Sequence, residues 1–133
     1  MKYNTELMKA IILKSNISST MAIYDKNNEE LLNDGIIIEE KELNRIKKAH
    51  QKKNKLFLDG LEINKNKYIL LSTYKLAPHI YFLHCKKFDE GYVCININNV
   101  ILIVKYDDEY IPCQYDTKIQ QIIKDIEELF GFD

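Results

Sequence analysis

The sequence has few of the residues that build phosphate loops, disulfide frameworks and metal centres. Its 133 residues include no tryptophan and only four glycines, two prolines and three cysteines. The glycines are isolated, at positions 35, 60, 91 and 131, which excludes a glycine-rich phosphate loop. No apolar run approaches the ~18 residues of a membrane span, and the first residues are too polar for a secretory signal. We therefore expect a cytoplasmic protein without a bound cofactor.

The three cysteines predict neither a disulfide framework nor a metal centre. Cys85, Cys94 and Cys113 are odd in number and lack the spacing of metal ligands. We expect reduced thiols that behave mostly as small hydrophobic side chains in the core. No metal site is predicted.

The overall composition is that of one ordinary globular domain. The hydrophobic fraction is 46% and the charged fraction 29%, which suits a single domain over residues 1–133 with one continuous core. Nineteen basic residues against twenty acidic ones leave a net charge of -1, which disfavours nucleic-acid binding. A lysine run is interpreted as a solvated helix face, with weak contact to anionic phospholipid as the alternative; it comprises Lys47, Lys48, Lys52, Lys53 and Lys55.

Hydrophobic periodicity predicts a mixed order of helices and antiparallel strands. The order indicates an α+β fold in which helices cover the faces of a meandering sheet. Helices are predicted over residues 4–15, 39–50 and about 116–130; a hairpin over 20–25 and 30–34; and further strands over 68–71, 80–87, 92–97 and 100–106. The run Val100 to Val104 is apolar throughout, which is typical of a central strand covered on both faces.

The segment LFLDGLEINKNKYILLS, Leu56 to Ser72, holds two apolar runs interrupted by turn-forming residues. We expect one turn at Asp59-Gly60 and a second over Asn64 to Lys67, followed by a strand. The interpretation is a hairpin with one side in the core and a lysine-bearing side that faces a partner. The alternative is an ordinary sheet edge kept soluble by its lysines.

Catalytic chemistry is not predicted. His84 and Cys85 are a tempting pair, but adjacent residues of a strand point to opposite faces and cannot share a proton. The acidic residues Asp107, Asp108 and Glu109 favour a solvated loop over a Ca²⁺ site, because no ligand loop of known spacing accompanies them. We do not expect an enzyme.

Four stretches resemble profilins, the small actin-monomer-binding proteins. They are YNTELMKAII, TMAIYDKNNEELL, LFLDGLEINKNKYILLS and VILIVKYDDEYIPCQYD, so the resemblance to a divergent member spans nearly the whole chain. It implies a central antiparallel sheet with the N- and C-terminal helices on one face and a smaller helix on the other. It also implies a cytoplasmic, cytoskeleton-associated regulator of actin polymerisation. Element order alone also fits a roadblock or longin-type scaffold domain that assists a small GTPase or trafficking complex.

The resemblance implies an actin-binding surface on the second half of the sheet and the start of the last helix. Ser72 stands where animal profilins commonly carry an arginine. Lys67 and Lys86 are expected at exposed strand positions. The implied actin-binding residues are Phe57, Lys67, Leu70, Ser72, His84, Lys86, Asn96, Thr117, Lys118, Gln120 and Gln121.

A second implied surface lies between the terminal helices, where profilins bind proline-rich segments on stacked aromatic rings. Leu31 or Leu32 stands where the family has a tryptophan. Aromatic faces supply much of the affinity for a polyproline helix, so we expect weak binding or none. The positions concerned are Tyr3, Leu31, Leu129, Phe130 and Phe132.

Overall fold

A seven-stranded antiparallel sheet forms the centre of the molecule. The computed structural model describes residues 5–14, 20–78, 80–88, 90–97, 100–107 and 112–130. The strands are β1 Thr20–Asp25, β2 Glu30–Asp34, β3 Leu61–Ile63, β4 Asn66–Ala77, β5 Ile80–Lys87, β6 Glu90–Ile97 and β7 Val100–Asp107. They lie in the order β2-β1-β7-β6-β5-β4-β3, with each described pair antiparallel. The predicted α+β class is confirmed.

Helices cover both faces of this sheet. The helices are α1 Thr5–Lys14, α2 Glu40–Lys47, α3 Lys53–Asp59 and α4 Pro112–Phe130, with a 3-10 turn at Ala49–Gln51. Residues of α1 and α4, such as Ile12 and Ile126, share one apolar cluster with one face of the sheet. Leu43 and Ile46 of α2 share a second cluster with the other face. The terminal helices therefore lie together on one side and the smaller helices on the opposite side.

Strand β7 is buried on both faces, as its uninterrupted apolar run predicts. Leu102 and Val104 belong to the cluster beneath the terminal helices, whereas Ile101 and Ile103 belong to the cluster beneath α2. Successive side chains of a strand alternate between faces, so an all-apolar strand is stable only with cover on each side. Within the described residues, no helix is both long enough and apolar enough to span a membrane.

Several element boundaries differ from the sequence prediction. Strand β4 spans Asn66–Ala77, where a strand over 68–71 is predicted, and α2 ends at Lys47, before the predicted end at residue 50. Helix α4 begins at Pro112, four residues before the predicted start, because proline at the first helical position has no N–H to leave unpaired. The predicted first apolar run of the hairpin, Leu56 to Leu58, belongs to α3 instead of a strand. A short apolar run does not separate helix from strand by periodicity. Gly60, at φ 81°, ends this helix by donating its N–H to the Leu56 carbonyl.

A buried carboxylate fastens α2 to the β3–β4 turn. Glu42 Oε1 accepts the N–H groups of Glu39 (2.9 Å) and Asn64 (2.8 Å), and Oε2 accepts that of Lys65 (2.9 Å). Burial by itself raises the pKa of Glu42, but the three backbone donors outweigh it and leave the pKa below its ordinary value. Asn64 and Lys65 both have positive φ, 53° and 63°, as tight hairpin turns require.

A lysine fastens the other end of α2 to the β1–β2 turn. Lys47 Nζ donates to the carbonyl oxygens of Asp25 (3.0 Å) and Lys26 (3.1 Å) and to Oδ1 of Asn28. The interpretation of the lysine run as a solvated face is therefore wrong at Lys47. Burial lowers its pKa, and the charge of Asp25 opposes that shift.

Candidate functional site

The strand residues of the implied actin surface fall mainly on the face that carries the terminal helices. Ser72 pairs with His84 across β4 and β5, and Lys86 pairs with Ile69. Lys67 is exposed and shares a side of β4 with Ile69, because the intervening Tyr68 is buried in the opposite cluster.

Two of the implied residues lie on the other face. Leu70 is only 3% exposed and packs in the cluster beneath α2. Asn96 pairs with Tyr81 and Ile101, and paired side chains share a face. Ile101 belongs to the cluster beneath α2, so Asn96 points to that side as well. The structure does not bring Leu70 and Asn96 together with Lys67 and Lys86.

Three apolar residues that sequence reasoning missed are exposed on or beside this surface. Ile69 is 67% exposed, Leu71 is 42% exposed at a bulge in β4, and Phe88 is 85% exposed directly after β5. The run Tyr68 to Leu71 contains no polar residue, so its outward-facing positions could not be assigned from alternation. We call Lys67, Ile69, Leu71, Lys86 and Phe88 the β4–β5 patch.

A buried polar pair supports the same face of the sheet. His84 is buried, and its Nε2 lies 2.5 Å from the hydroxyl of Tyr106. Burial raises the pKa of Tyr106 to about 12. The Tyr106 ring fits there because residue 91 is glycine: a Cβ at Gly91 would come within 2.4 Å of that ring. His84 thus supports the surface from below and is not exposed on it.

The predicted separation of His84 and Cys85 is confirmed. Cys85 lies in the cluster beneath α2, whereas His84 contacts Tyr106 on the opposite face. Burial raises the pKa of Cys85 to about 12, so the thiolate that a nucleophile requires is not formed near neutral pH. These two residues do not form a catalytic dyad.

The implied α4 residues form a separate group beside α1. Thr117, Lys118 and Gln121 line a groove of about 370 Å³ between the two helices. Gln121 donates a hydrogen bond of 2.9 Å to Asp125, one turn along the helix. Gln120 is exposed but does not line this groove.

Most of the implied proline-binding positions lie outside the described residues. This applies to Tyr3 and Phe132 and to the side chains of Leu129 and Phe130 at the end of α4. Leu31 is half-buried on β2 and packs against the cluster beneath the terminal helices. Asp108 and Glu109, for which a solvated loop is predicted, also fall outside the described ranges.

Phe57 lies apart from the strand residues of the implied surface, on helix α3. It is 47% exposed there, next to Leu58, which is 88% exposed. The predicted hairpin includes this residue, so the structure changes the element that presents it. Phe57 is available to a partner, but from a helix instead of the sheet.

Three carboxylates, those of Glu39, Glu42 and Glu62, have oxygen atoms within 4.8 Å of one another. Both oxygens of Glu42 already accept backbone N–H groups. Glu39 lies 3.6 Å from the ammonium of Lys41 and 3.9 Å from that of Lys65. Glu42 therefore already has backbone partners in two turns, and Glu39 has two ion-pair partners.

Comparison with known proteins identifies the family. The profilin family model matches residues 2–129. The chain belongs to the profilin family. The comparison with curated proteins finds no match. As a family, profilins bind actin monomers and are not enzymes.

Solved profilins have the same fold at low sequence identity. Schizosaccharomyces pombe profilin, crystallized from sodium formate, is similar with a TM-score of 0.73 at 16% identity, over 94% of this chain and 96% of that one. Acanthamoeba castellanii profilin IA is similar with a TM-score of 0.71 at 12% identity, over 96% of this chain and 98% of that one. Profilin II of that organism, in a cubic crystal form, is similar with a TM-score of 0.69 at 13% identity, over 94% of this chain and 96% of that one.

Proposed function

We propose that this profilin-family chain binds an actin or actin-like monomer in the cytoplasm and regulates its supply for polymerisation. Family membership over residues 2–129 supports this function over a roadblock or longin-type scaffold. The proposal is one of binding without catalysis, in keeping with the high pKa of the Cys85 thiol and its separation from His84.

The observation that carries the proposal is the mixed character of the β4–β5 patch. Three exposed apolar side chains, Ile69, Leu71 and Phe88, lie on or beside adjacent strands with Lys67 and Lys86. Apolar groups bordered by charge are typical of surfaces that bind another protein. The apolar groups supply affinity, while the lysines speed encounter with an acidic partner and fix its orientation.

Phe88 adds an independent argument for a partner on this surface. Its φ of 54° is a left-handed conformation that costs a bulky residue about 1 kcal/mol or more. The side chain gains little from burial, since it is 85% exposed. A strained and exposed aromatic residue favours a role in binding, because strain of this kind clusters at functional sites.

Charge reversal tests the electrostatic part of the surface. The variant Lys67→Glu/Lys86→Glu should bind actin roughly 1–3 kcal/mol more weakly, mainly through slower association and with less salt dependence. The measurement is delay of pyrene-actin assembly at several salt concentrations, with thermal unfolding to show that the fold is retained.

A matched control changes the same charge at other exposed positions. Lys26 lies in the β1–β2 turn and Lys75 lies near the end of β4 opposite to Lys67. Both are exposed, so Lys26→Glu/Lys75→Glu should bind like the parent. Lys47 is unsuitable as a control because it fastens α2 to a turn. Equal losses in both variants would reject the assigned surface, and no delay of assembly by the parent would reject actin binding.

Phe88→Asn separates binding from folding. Asparagine tolerates positive φ better than phenylalanine, so the variant should be as stable as the parent or more so. Actin binding should nevertheless weaken, by about 1–2 kcal/mol for an apolar contact residue. Unchanged binding would remove Phe88 from the proposed interface.

A further inference from the structure

The outer side of β4 is unpaired along much of its length. Strand β4 spans Asn66–Ala77, but its outer neighbour β3 pairs only with Asn66, Lys67 and Tyr68. Strand β5 occupies the other side, and the sheet order gives β4 no further neighbour. Among the described residues, no backbone hydrogen bond joins Leu71–Lys75 to an element other than β5. We call Leu71–Lys75 the free edge of β4.

The free edge is accessible and offers main-chain hydrogen-bonding groups. Leu71 and Lys75 are exposed, and Ser72 and Thr73 are half-buried. In an antiparallel pair, alternate residues direct both N–H and C=O away from the partner strand. Two of the four residues Ser72–Lys75 therefore direct these groups outward, in a run that has a bulge at each end.

Exposed apolar side chains lie on both sides of this strand. Leu56 of α3 packs against the cluster beneath α2, so α3 lies on that side, where its Leu58 is 88% exposed. Ile69 is 67% exposed on the side of the terminal helices. Proteins usually protect an unpaired edge with charge or bulges. Apolar groups beside main-chain donors and acceptors are instead what strand-addition sites combine.

The surroundings of the free edge are cationic. Neither β4 nor residues 43–58, which include the 3-10 turn and most of α3, contain an acidic residue. In that turn His50 stacks on Tyr81, which pairs with Lys75. Lys52 follows the turn and is exposed, as is Lys75. The ion pairs found among the described residues involve neither of these lysines.

We propose that the free edge binds an extended, acidic segment of another protein as an additional strand of the sheet. The main chain of the segment pairs with Ser72–Lys75, and its carboxylates interact with Lys52 and Lys75. A second copy of this chain is a poorer occupant, because pairing two free edges would bring the lysines of both copies together. The inference does not rest on actin binding, since the free edge shares only Leu71 with the β4–β5 patch.

The test is an NMR titration of the isotope-labelled full chain with an acetylated, amidated octapeptide of alternating glutamate and valine. Amide shifts should centre on Leu71–Lys75, and hydrogen exchange should slow at the outward-facing amides of that run. Affinity should fall with added salt. The same peptide with every peptide nitrogen methylated keeps its charge but donates no main-chain hydrogen bond. It should bind at least about tenfold more weakly.

Charge reversal at the edge is compared with charge reversal elsewhere. Lys75→Glu should weaken binding of the glutamate-valine peptide about threefold or more. It should also bind a lysine-valine octapeptide more tightly than the parent does. Lys26→Glu, at an exposed position in the β1–β2 turn, should behave like the parent towards both peptides. Lys75 is exposed, so its variant should fold and keep any binding to actin.

Several outcomes would overturn the proposal. They are absence of peptide binding, shifts centred away from the free edge, equal binding of the methylated peptide, and equal losses in the two variants. Shifts at Leu71–Lys75 that depend on protein concentration without peptide would assign the edge to a second copy, and would overturn it as well.

Discussion

The two faces of the sheet differ in how much polar contacts contribute to holding their helices. On the side of the terminal helices, one ion pair of 2.9 Å joins Lys9 of α1 to Asp34 of β2. Beneath α1 and α4, buried aliphatic side chains such as Ile12 and Ile126 form one continuous cluster. Beneath α2 there are also apolar contacts, but each end of the helix is fastened by a polar side chain. Glu42 binds the β3–β4 turn and Lys47 binds the β1–β2 turn.

This difference follows from the width of the apolar stripe on each helix. Helix α4 has 19 residues and buries Ile122, Ile123 and Ile126, which is a broad face at helical spacing. Helix α2 has eight residues and buries Leu43 and Ile46. A short helix gains little from its own backbone hydrogen bonds. The hydrogen bonds of Glu42 and Lys47 therefore help to position α2, in addition to its buried apolar side chains.

The largest expected effect on the free energy of unfolding is in the apolar cluster beneath α1 and α4. Ile126→Ala should reduce the free energy of unfolding by about 2–5 kcal/mol, because it leaves a cavity in a fully buried cluster. Denaturant unfolding measures the loss, which should vary little with pH since no titrating group is removed. Lys124→Ala, two residues away and exposed, should stay within about 0.5 kcal/mol of the parent. A loss at Ile126 no larger than at Lys124 would contradict the assignment of this side to apolar packing.

Glu42→Gln should have the next largest effect. It should reduce the free energy of unfolding by about 1–3 kcal/mol at neutral pH, because backbone N–H groups then face an amide donor. The pKa of Glu42 is lowered by folding, so its contribution is present above its ordinary pKa of 4.5 and is lost as pH falls through the folded value. Unfolding curves of parent and variant should therefore converge in acid. Glu40→Gln on the exposed side of the same turn is the control, and parallel curves at all pH values would refute the role of Glu42.

His50 should make a smaller contribution to stability, and this contribution should depend on pH. Its ring stacks on Tyr81 at a centroid distance of 3.8 Å, and burial, followed by repulsion from Lys75, lowers its pKa. The unfolded chain then binds a proton more readily, so stability decreases as pH falls below the ordinary value of 6.5. His50→Phe keeps a stacked ring and should flatten that decrease. If the variant shows the parent's slope, another group is responsible.

The smallest expected effect is that of proline-rich peptides on the side of the terminal helices. With no tryptophan in the chain and an aliphatic Leu31, titration should change tyrosine fluorescence and backbone shifts very little. Micromolar binding centred on Tyr3 and Phe130 would show instead that this surface retains an aromatic platform.

The sequence by itself determined the features that depend on local chemistry. The bounds of β1, β2 and β5 agree with the predicted strands, because short runs of strand-forming residues and the turn residues that bound them act over a few neighbouring positions. The separation of His84 from Cys85 follows from the same alternation. The stripe through Ile122 and Ile126 likewise specified which face of α4 is buried.

Tertiary structure alone decided the features that depend on register and on distant partners. An apolar run such as Tyr68 to Leu71 has no intrinsic inward side, so only pairing with β5 and packing under α2 exposed Ile69 and buried Leu70. Contacts with the distant β1–β2 turn likewise make Lys47 an anchor for α2. Arg45 on α2, Lys55 on α3 and Lys67 on β4 came to line one cleft because the chain folds back on itself, which no local pattern records.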